Sequence, residues 1–192
     1  MNYLKRLNPK LLLGLALVGT IAMACDSEET VSPDEPAQIT TVIASFANDQ
    51  TDDVVTGSFR DLDGPGGESP SISGVTLDAD ARYTVTLQFL DERETPADDI
   101  TDEIREEDLE HQVFFVIGGN IGIGYTYDDV DRQGNPLGLR GKLTTTTSTG
   151  NASLQVILID QPNKSLNGVA EGDLNNAGGV ENIRIQLPIS VQ

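Results

Sequence analysis

Alternation of apolar and polar side chains is the strongest pattern in this chain. Over residues 83–90, "YTVTLQFL", Tyr83, Val85, Leu87 and Phe89 alternate with Thr84, Thr86 and Gln88. Over 182–192, "NIRIQLPISVQ", Ile183, Ile185, Leu187, Ile189 and Val191 fall on one face. A period of two, rich in β-branched and aromatic residues, predicts strands with one buried face and one wet face. Further strands are predicted at 39–46, 54–60, 70–77, 112–118, 121–127, 138–147 and 152–160. The clusters "DLDGPGG", "DVDRQGNP", "STGN" and "NNAGG" separate them, and Gly, Asn, Asp and Pro supply the backbone angles that turns need. The fold expected is mainly β, an antiparallel Ig-like or Greek-key β-sandwich of about 8–9 strands. Pro188 lacks an amide donor, so its strand is expected at an edge, or with that position facing away from the ladder.

One segment departs from the alternation. "TPADDITDEIREEDLEH" (95–111) offers Thr95 as an N-cap, Pro96 at the first helical position and Asp98 and Asp99 in the positively polarised first turn. Ile100 and Ile104 lie four apart, so one short acidic helix over about 96–110 is expected to rest on the sandwich through those two side chains.

The N-terminal pattern is different again. Lys5, Arg6 and Lys10 precede "LLLGLALVGTIAMA", an apolar run that reaches Ala24. It is too short for a bilayer-spanning helix, which needs roughly 20 residues, but it suits the apolar region of a secretory signal. "IAMACDSEE" (21–29) then brings small residues before Cys25, the sole cysteine. This resembles the lipobox of bacterial lipoproteins. The resemblance implies removal of residues 1–24 as signal peptide and lipid attachment at Cys25, which anchors the chain to a membrane through its acyl groups. The alternative is an ordinary signal cut after Ala24 that leaves a free thiol. Residues 26–37, "DSEETVSPDEPA", have almost nothing to bury and read, with Cys25, as a lipidated acidic tether over 25–37. Residues 38–192 are one domain's worth of sequence.

Charge narrows the partners. The chain carries 12 Lys and Arg against 31 Asp and Glu, and loss of the three N-terminal cations would leave nine, a formal charge of −22. Nucleic acid, whose backbone demands the opposite sign, is excluded as a partner, and so is docking on anionic lipid heads through a basic patch.

The acidic pattern raises hard-cation binding as a candidate chemistry. In "DVDRQGN", Asp129, Asp131 and Gln133 occupy first, third and fifth places with Gly134 sixth, a spacing that resembles the start of a calcium loop. Arg140 stands at the twelfth place, where an EF-hand has its bidentate Glu, and the same residues also make a good hairpin turn. In "DLDGPGGES", Asp61 and Asp63 could chelate Ca²⁺ or simply organise a glycine-rich turn. Glu107 and His111, four apart, would share a face of a continuing helix as two ligands of a transition metal; otherwise His111, the only histidine, caps the helix or packs where helix gives way to strand.

Enzymatic motifs are lacking. Any Ser-His-Asp triad would have to use His111, and no nucleophile elbow accompanies it. Carboxylates are too abundant to single out a glycosidase pair, and without tryptophan the stacking platforms typical of sugar sites are scarce. "GGNIGIG" (118–124) lacks both the G-x-G-x-x-G order and a following helix, so it reads as strand glycine rather than a phosphate loop. The chain is therefore expected not to be an enzyme.

The order of blocks "SFRDLDGPGG", "YTVTLQFLDE", "PADDITDEIREEDLEHQVFF", "DVDRQGNPLGL" and "NNAGGVENI" resembles small surface lipoproteins of Flavobacteriia-type Bacteroidota. Some of these carry a name implying a type 1 periplasmic-binding fold, an α/β architecture with repeated crossover helices that differs from the strand pattern above. The resemblance implies an outer-membrane, lipid-anchored location. "DSEE" directly after the cysteine resembles an export signal to the outer face, the alternative being a periplasm-facing anchor with an acidic spacer. Two functions follow as expectations: a non-catalytic ligand-binding or accessory module of an uptake system, with a TonB-dependent outer-membrane receptor as partner; or a structural or adhesive surface module, with Ca²⁺ as a stabilising ion.

Overall fold

The computed structural model describes residues 38–192 apart from Glu94. Cys25, the signal segment and the acidic tether lie outside the described residues. Among the described residues, eleven strands form two sheets, about half of the positions are in strand and there is a single α-helix. The repeated crossover helices of a type 1 periplasmic-binding fold have no counterpart among the described residues.

The strands are β1 (Thr41–Asn48), β2 (Val54–Arg60), β3 (Ser71–Ser73), β4 (Val75–Leu77), β5 (Arg82–Asp91), β6 (Asp98–Asp99), β7 (His111–Gly119), β8 (Ile123–Tyr127), β9 (Arg140–Thr145), β10 (Gly150–Asp160) and β11 (Val180–Val191). The first sheet runs β3-β2-β1-β5-β9-β8, with β6 added on β5, and the second runs β4-β11-β10-β7. The alternation read from sequence is the alternation buried: Val85, Leu87 and Phe89 of β5 and Val42, Ala44 and Phe46 of β1 face Leu154, Val156 and Leu158 of β10 and Ile185, Leu187 and Ile189 of β11 in one core. Each fully buried side chain of this size contributes about 1.5–3 kcal/mol of transfer free energy, so the two inner faces hold the sheets together.

The segment expected as one strand over 70–77 is divided. Its first half pairs β2 in one sheet and its second half pairs β11 in the other. Gly74 makes the crossing: a Cβ there would sit 2.6 Å from the Pro188 carbonyl oxygen. The β4–β11 pair is parallel, so the sandwich is not purely antiparallel. Pro188 follows from the same register. The Gln192 amide donates to the Leu77 oxygen and the Ala79 amide donates to the Gln192 oxygen, so even-numbered residues of β11 turn their backbone groups away from β10. Paired β4 residues begin only opposite Ile189, and the missing donor of Pro188 falls on that unpaired flank.

The helix is shorter than the sequence suggests. α1 spans Ile100–Glu106, and its N-cap is Asp99, whose carboxylate accepts from the Thr101 amide at 3.1 Å, not Thr95. Asp98 and Asp99 instead extend the first sheet by pairing Asp91 and Leu90. Backbone committed to a ladder cannot start a helix, so the first turn moves to Ile100. Ile100 and Ile104 are buried in the main core as expected.

β10 and the first half of β7 are covered on both faces. Ile157 and Ile159 turn away from the main core and join Phe114 of β7 and Val169, Leu174 and Ala177 of the 161–179 segment in a second apolar cluster. That segment returns across the outer face of the second sheet and contains a short 3-10 turn at Leu174–Asn176.

Candidate functional site

Three connections meet at one end of the sandwich: the turn between α1 and β7 (107–110), the β8–β9 connection (128–139) and the 161–179 segment. Arg132 ties the first two. Its Nε donates to Asp108 Oδ1 at 2.6 Å, its amide to Asp108 Oδ2 at 2.8 Å and its Nη2 to the Glu106 carbonyl at 2.8 Å, placing a cation where a helix C-terminus favours one. Lys164 ties in the third. Its Nζ donates to the Asp108 carbonyl at 2.7 Å and to Asp131 Oδ2 at 3.0 Å. The Gln161 amide adds a bond to the Glu110 carbonyl at 2.6 Å.

Lys164 and Asp131 form a buried ion pair, with side chains 6% and 0% exposed. Asp131 Oδ1 accepts from the Gln133 and Asn135 amides at 2.8 and 2.9 Å, and Oδ2 takes Asn135 Nδ2 as well as the ammonium. Burial opposes the charge, but Lys164 and the two amides outweigh it and hold the carboxyl below its ordinary value of 3.8. Beside the pair lies a cavity of about 350 Å³ lined by Asp131, Gln133, Asn135, Asn163, Lys164 and Ser165, with Leu109 and Pro162 as its apolar wall.

The residues singled out from sequence sit in separate hydrogen-bonding arrangements and do not converge on one point. Asp129 does not point with Asp131: its two oxygens accept from the Gly138 and Arg140 amides at 2.8 and 2.9 Å, which fixes the entry to β9. Burial pushes the Asp129 carboxyl up, with the Gly138, Arg140 and Leu139 amides offsetting part of the rise. The Gln133 side chain has no hydrogen-bond partner among the described residues, while its amide belongs to the Asp131 turn. This is turn chemistry: the acceptor positions that a calcium loop would aim at an ion hold backbone donors instead.

Asp61 and Asp63 each serve their own loop. Asp61 accepts from the Gly64 amide at 3.0 Å and Asp63 from the Glu68 amide at 2.7 Å, which lowers the Asp63 carboxyl. Glu107 and His111 do approach, Oε2 to Nε2 at 3.2 Å, but not across one helix face, because α1 ends at Glu106 and His111 opens β7. Asp160 lies 3.8 Å from the other ring nitrogen, Nδ1, which is buried without a hydrogen-bond partner. Two carboxylates on opposite nitrogens cannot serve one ion. Among the described residues no three His, Cys, Asp or Glu side chains gather to hold a metal.

We expect millimolar Ca²⁺, micromolar Zn²⁺ and EDTA each to leave the melting temperature of the full chain unchanged. A rise that grows with ion concentration would restore the cation reading, because an ion bound only to the folded state must stabilise it.

No family model, curated protein or solved structure matches this chain.

Lys164, Asn163, Ser165 and Asn135 are the site residues that sequence reasoning missed. The available signal was the nearly unbroken apolar run "LQVILI" of β10, which marks a strand covered on both faces, followed by a connection much longer than a hairpin turn. Together they imply a segment folded back over the sheet, and such segments carry binding residues more often than tight turns do.

Proposed function

We propose that this chain is a non-catalytic ligand-binding lipoprotein, anchored in the outer membrane through Cys25 and displayed at the cell surface as an accessory module of an uptake system. The observation that carries the binding part is the polar cavity beside the Lys164–Asp131 pair, built from three connections at one end of a rigid sandwich. Small-molecule pockets are concave and usually mostly apolar with a few polar groups; this cavity is mostly polar, which restricts it to polar ligands. Neither a nucleophile beside a base nor a carboxylate free to move a proton faces it, since the Asp131 oxygens are occupied by donors. The anchoring part rests on the lipobox-like "IAMAC" and the acidic tether after it. A TonB-dependent outer-membrane receptor is the partner that such an accessory module would serve.

A deletion strain complemented with the wild-type chain or with Cys25→Ser tests this reading. Wild type should incorporate labelled palmitate, pellet with membranes, be shaved from intact cells by protease and restore growth on limiting nutrient. Cys25→Ser should do none of these. Labelling of Cys25→Ser removes the anchoring account, protection from protease until lysis moves the protein to the periplasmic face, and normal growth with altered surface attachment favours the structural or adhesive module.

A further inference from the structure

From the hydrogen-bonding inventory of the cavity we infer that its ligand is a small neutral polyhydroxylated molecule, a saccharide unit. This inference rests on the binding reading above and specifies the ligand class.

The charged groups at the cavity are already satisfied. Lys164 is neutralised by Asp131, and Asp131 has a donor on each face of its carboxylate. Nearby Asp108 is neutralised in turn by Arg132. An anionic ligand would meet no uncompensated cation, in a chain whose formal charge is −19. A cationic ligand would meet no available carboxylate oxygen and would lie beside the Lys164 ammonium. An apolar ligand would strand polar groups, because six of the eight lining side chains are polar.

The uncommitted groups are neutral and of both kinds. The Gln133 side-chain amide makes no bond to a described residue, Asn163 Nδ2 donates to none, and Asn135 Oδ1 accepts from none, while Asn163 Oδ1 accepts from Ser165 Oγ at 2.7 Å, leaving that hydroxyl's lone pairs open. An ammonium has three donors, and Lys164 uses two of them, on Asp108 and Asp131. A hydroxyl group both donates and accepts, so a set of vicinal hydroxyls matches this mixture of amide oxygens, amide hydrogens and one ammonium hydrogen. Pro162 and Leu109 supply the small apolar part of the lining, and the cavity has no aromatic platform. Without that platform the expected affinity is modest, around the millimolar range.

The test uses the full chain in a non-glycosidic detergent, with side-chain amide resonances followed by NMR. The probes are neutral mono- and disaccharides, with inorganic phosphate, glycine and putrescine for comparison. The expected result is saturable shifts of the Gln133, Asn135 and Asn163 side-chain amides with at least one saccharide and none with the comparison probes. Gln133→Ala and Asn163→Ala, both at exposed positions, should each weaken binding about tenfold, as the loss of one or two hydrogen bonds predicts. Thr86→Ala, on the far face of the first sheet, should leave it unchanged. Saturable shifts with phosphate, glycine or putrescine and not with any saccharide would overturn the ligand class while leaving the binding reading standing. Shifts with none of the probes would overturn both.

Discussion

Lys164→Met should destabilise the fold by about 3–5 kcal/mol, the cost of leaving one member of a buried ion pair without its partner. The Asp131 side chain is fully buried, and among the described residues the Lys164 ammonium is the only full positive charge that touches it. Its remaining donors, the Gln133 and Asn135 amides and Asn135 Nδ2, are neutral and cannot replace a cation. The same substitution takes a donor from the Asp108 carbonyl. Removing the charge at both ends should cost less than the sum of the single changes. Lys164→Met with Asp131→Asn should therefore show positive coupling in a denaturant cycle at pH 7, where one coupled pair separates cleanly from independent sites. The pH dependence has a definite sign. The folded-state pKa of Asp131 is depressed, so its contribution is present above the unfolded value near 3.8 and disappears as pH falls through the lower folded value. The stability difference between wild type and Asp131→Asn should accordingly shrink below pH 4 and stay level from pH 5 to 8. A single-variant loss under about 1 kcal/mol with additive doubles would mean that the pair is solvated and of little structural weight.

What could be read from sequence here is what has a period. β5 falls within a residue of where the alternation places it, because a sandwich strand with one wet face buries every second side chain and the register of that burial is written locally. β2 has the expected bounds but buries only Gly57 fully, so its place comes from composition and flanking turns and not from alternation. The helix was legible in its contacts and not in its length. Ile100 and Ile104 at a spacing of four had to face the core, but whether Asp98 and Asp99 began a helix or a ladder was settled by the free edge of β5, a tertiary circumstance. The division at Gly74 was illegible for a related reason, since a glycine in a strand pattern marks a bend or a close approach without saying which neighbour comes close. The site was the least legible part. Asp131 was visible as a turn residue, but Lys164 lies 33 positions further on in a segment with no periodicity, and the two meet only because the β8–β9 connection of one sheet and the segment after β10 of the other come together at the same end. A lone lysine among 12 cations carries no local mark of being buried.

Phe114→Ala should cost about 3–5 kcal/mol, as for other fully buried phenylalanines truncated to alanine, and its effect should be concentrated at the cavity. Phe114 is fully buried on the outer face of the second sheet, against Ile157, Ile159, Val169 and Ala177. The 161–179 segment is not part of a sheet ladder, so its position depends on this cluster, the Lys164 bonds to Asp108 and Asp131, the Gln161 amide bond to the Glu110 carbonyl at 2.6 Å and that from Gln112 Nε2 to the Val169 carbonyl at 3.0 Å, while the Asn163 amide closes the segment on itself at the Ala177 carbonyl at 2.7 Å. Emptying the ring's space should let the segment open without unfolding the sandwich. Hydrogen exchange of the full chain then provides the readout: the Asn163 amide should lose protection well beyond that of Val85 and Leu87, whose place in a central core strand predicts exchange only on global unfolding. Phe46→Ala, of similar size in the main core, is the control and should lower protection in both places alike. Uniform loss in Phe114→Ala as well would mean that the two clusters act as one cooperative core. In that case the cavity would be as rigid as the sheets, and the segment bearing Asn163, Lys164 and Ser165 could not adjust to a ligand independently of them.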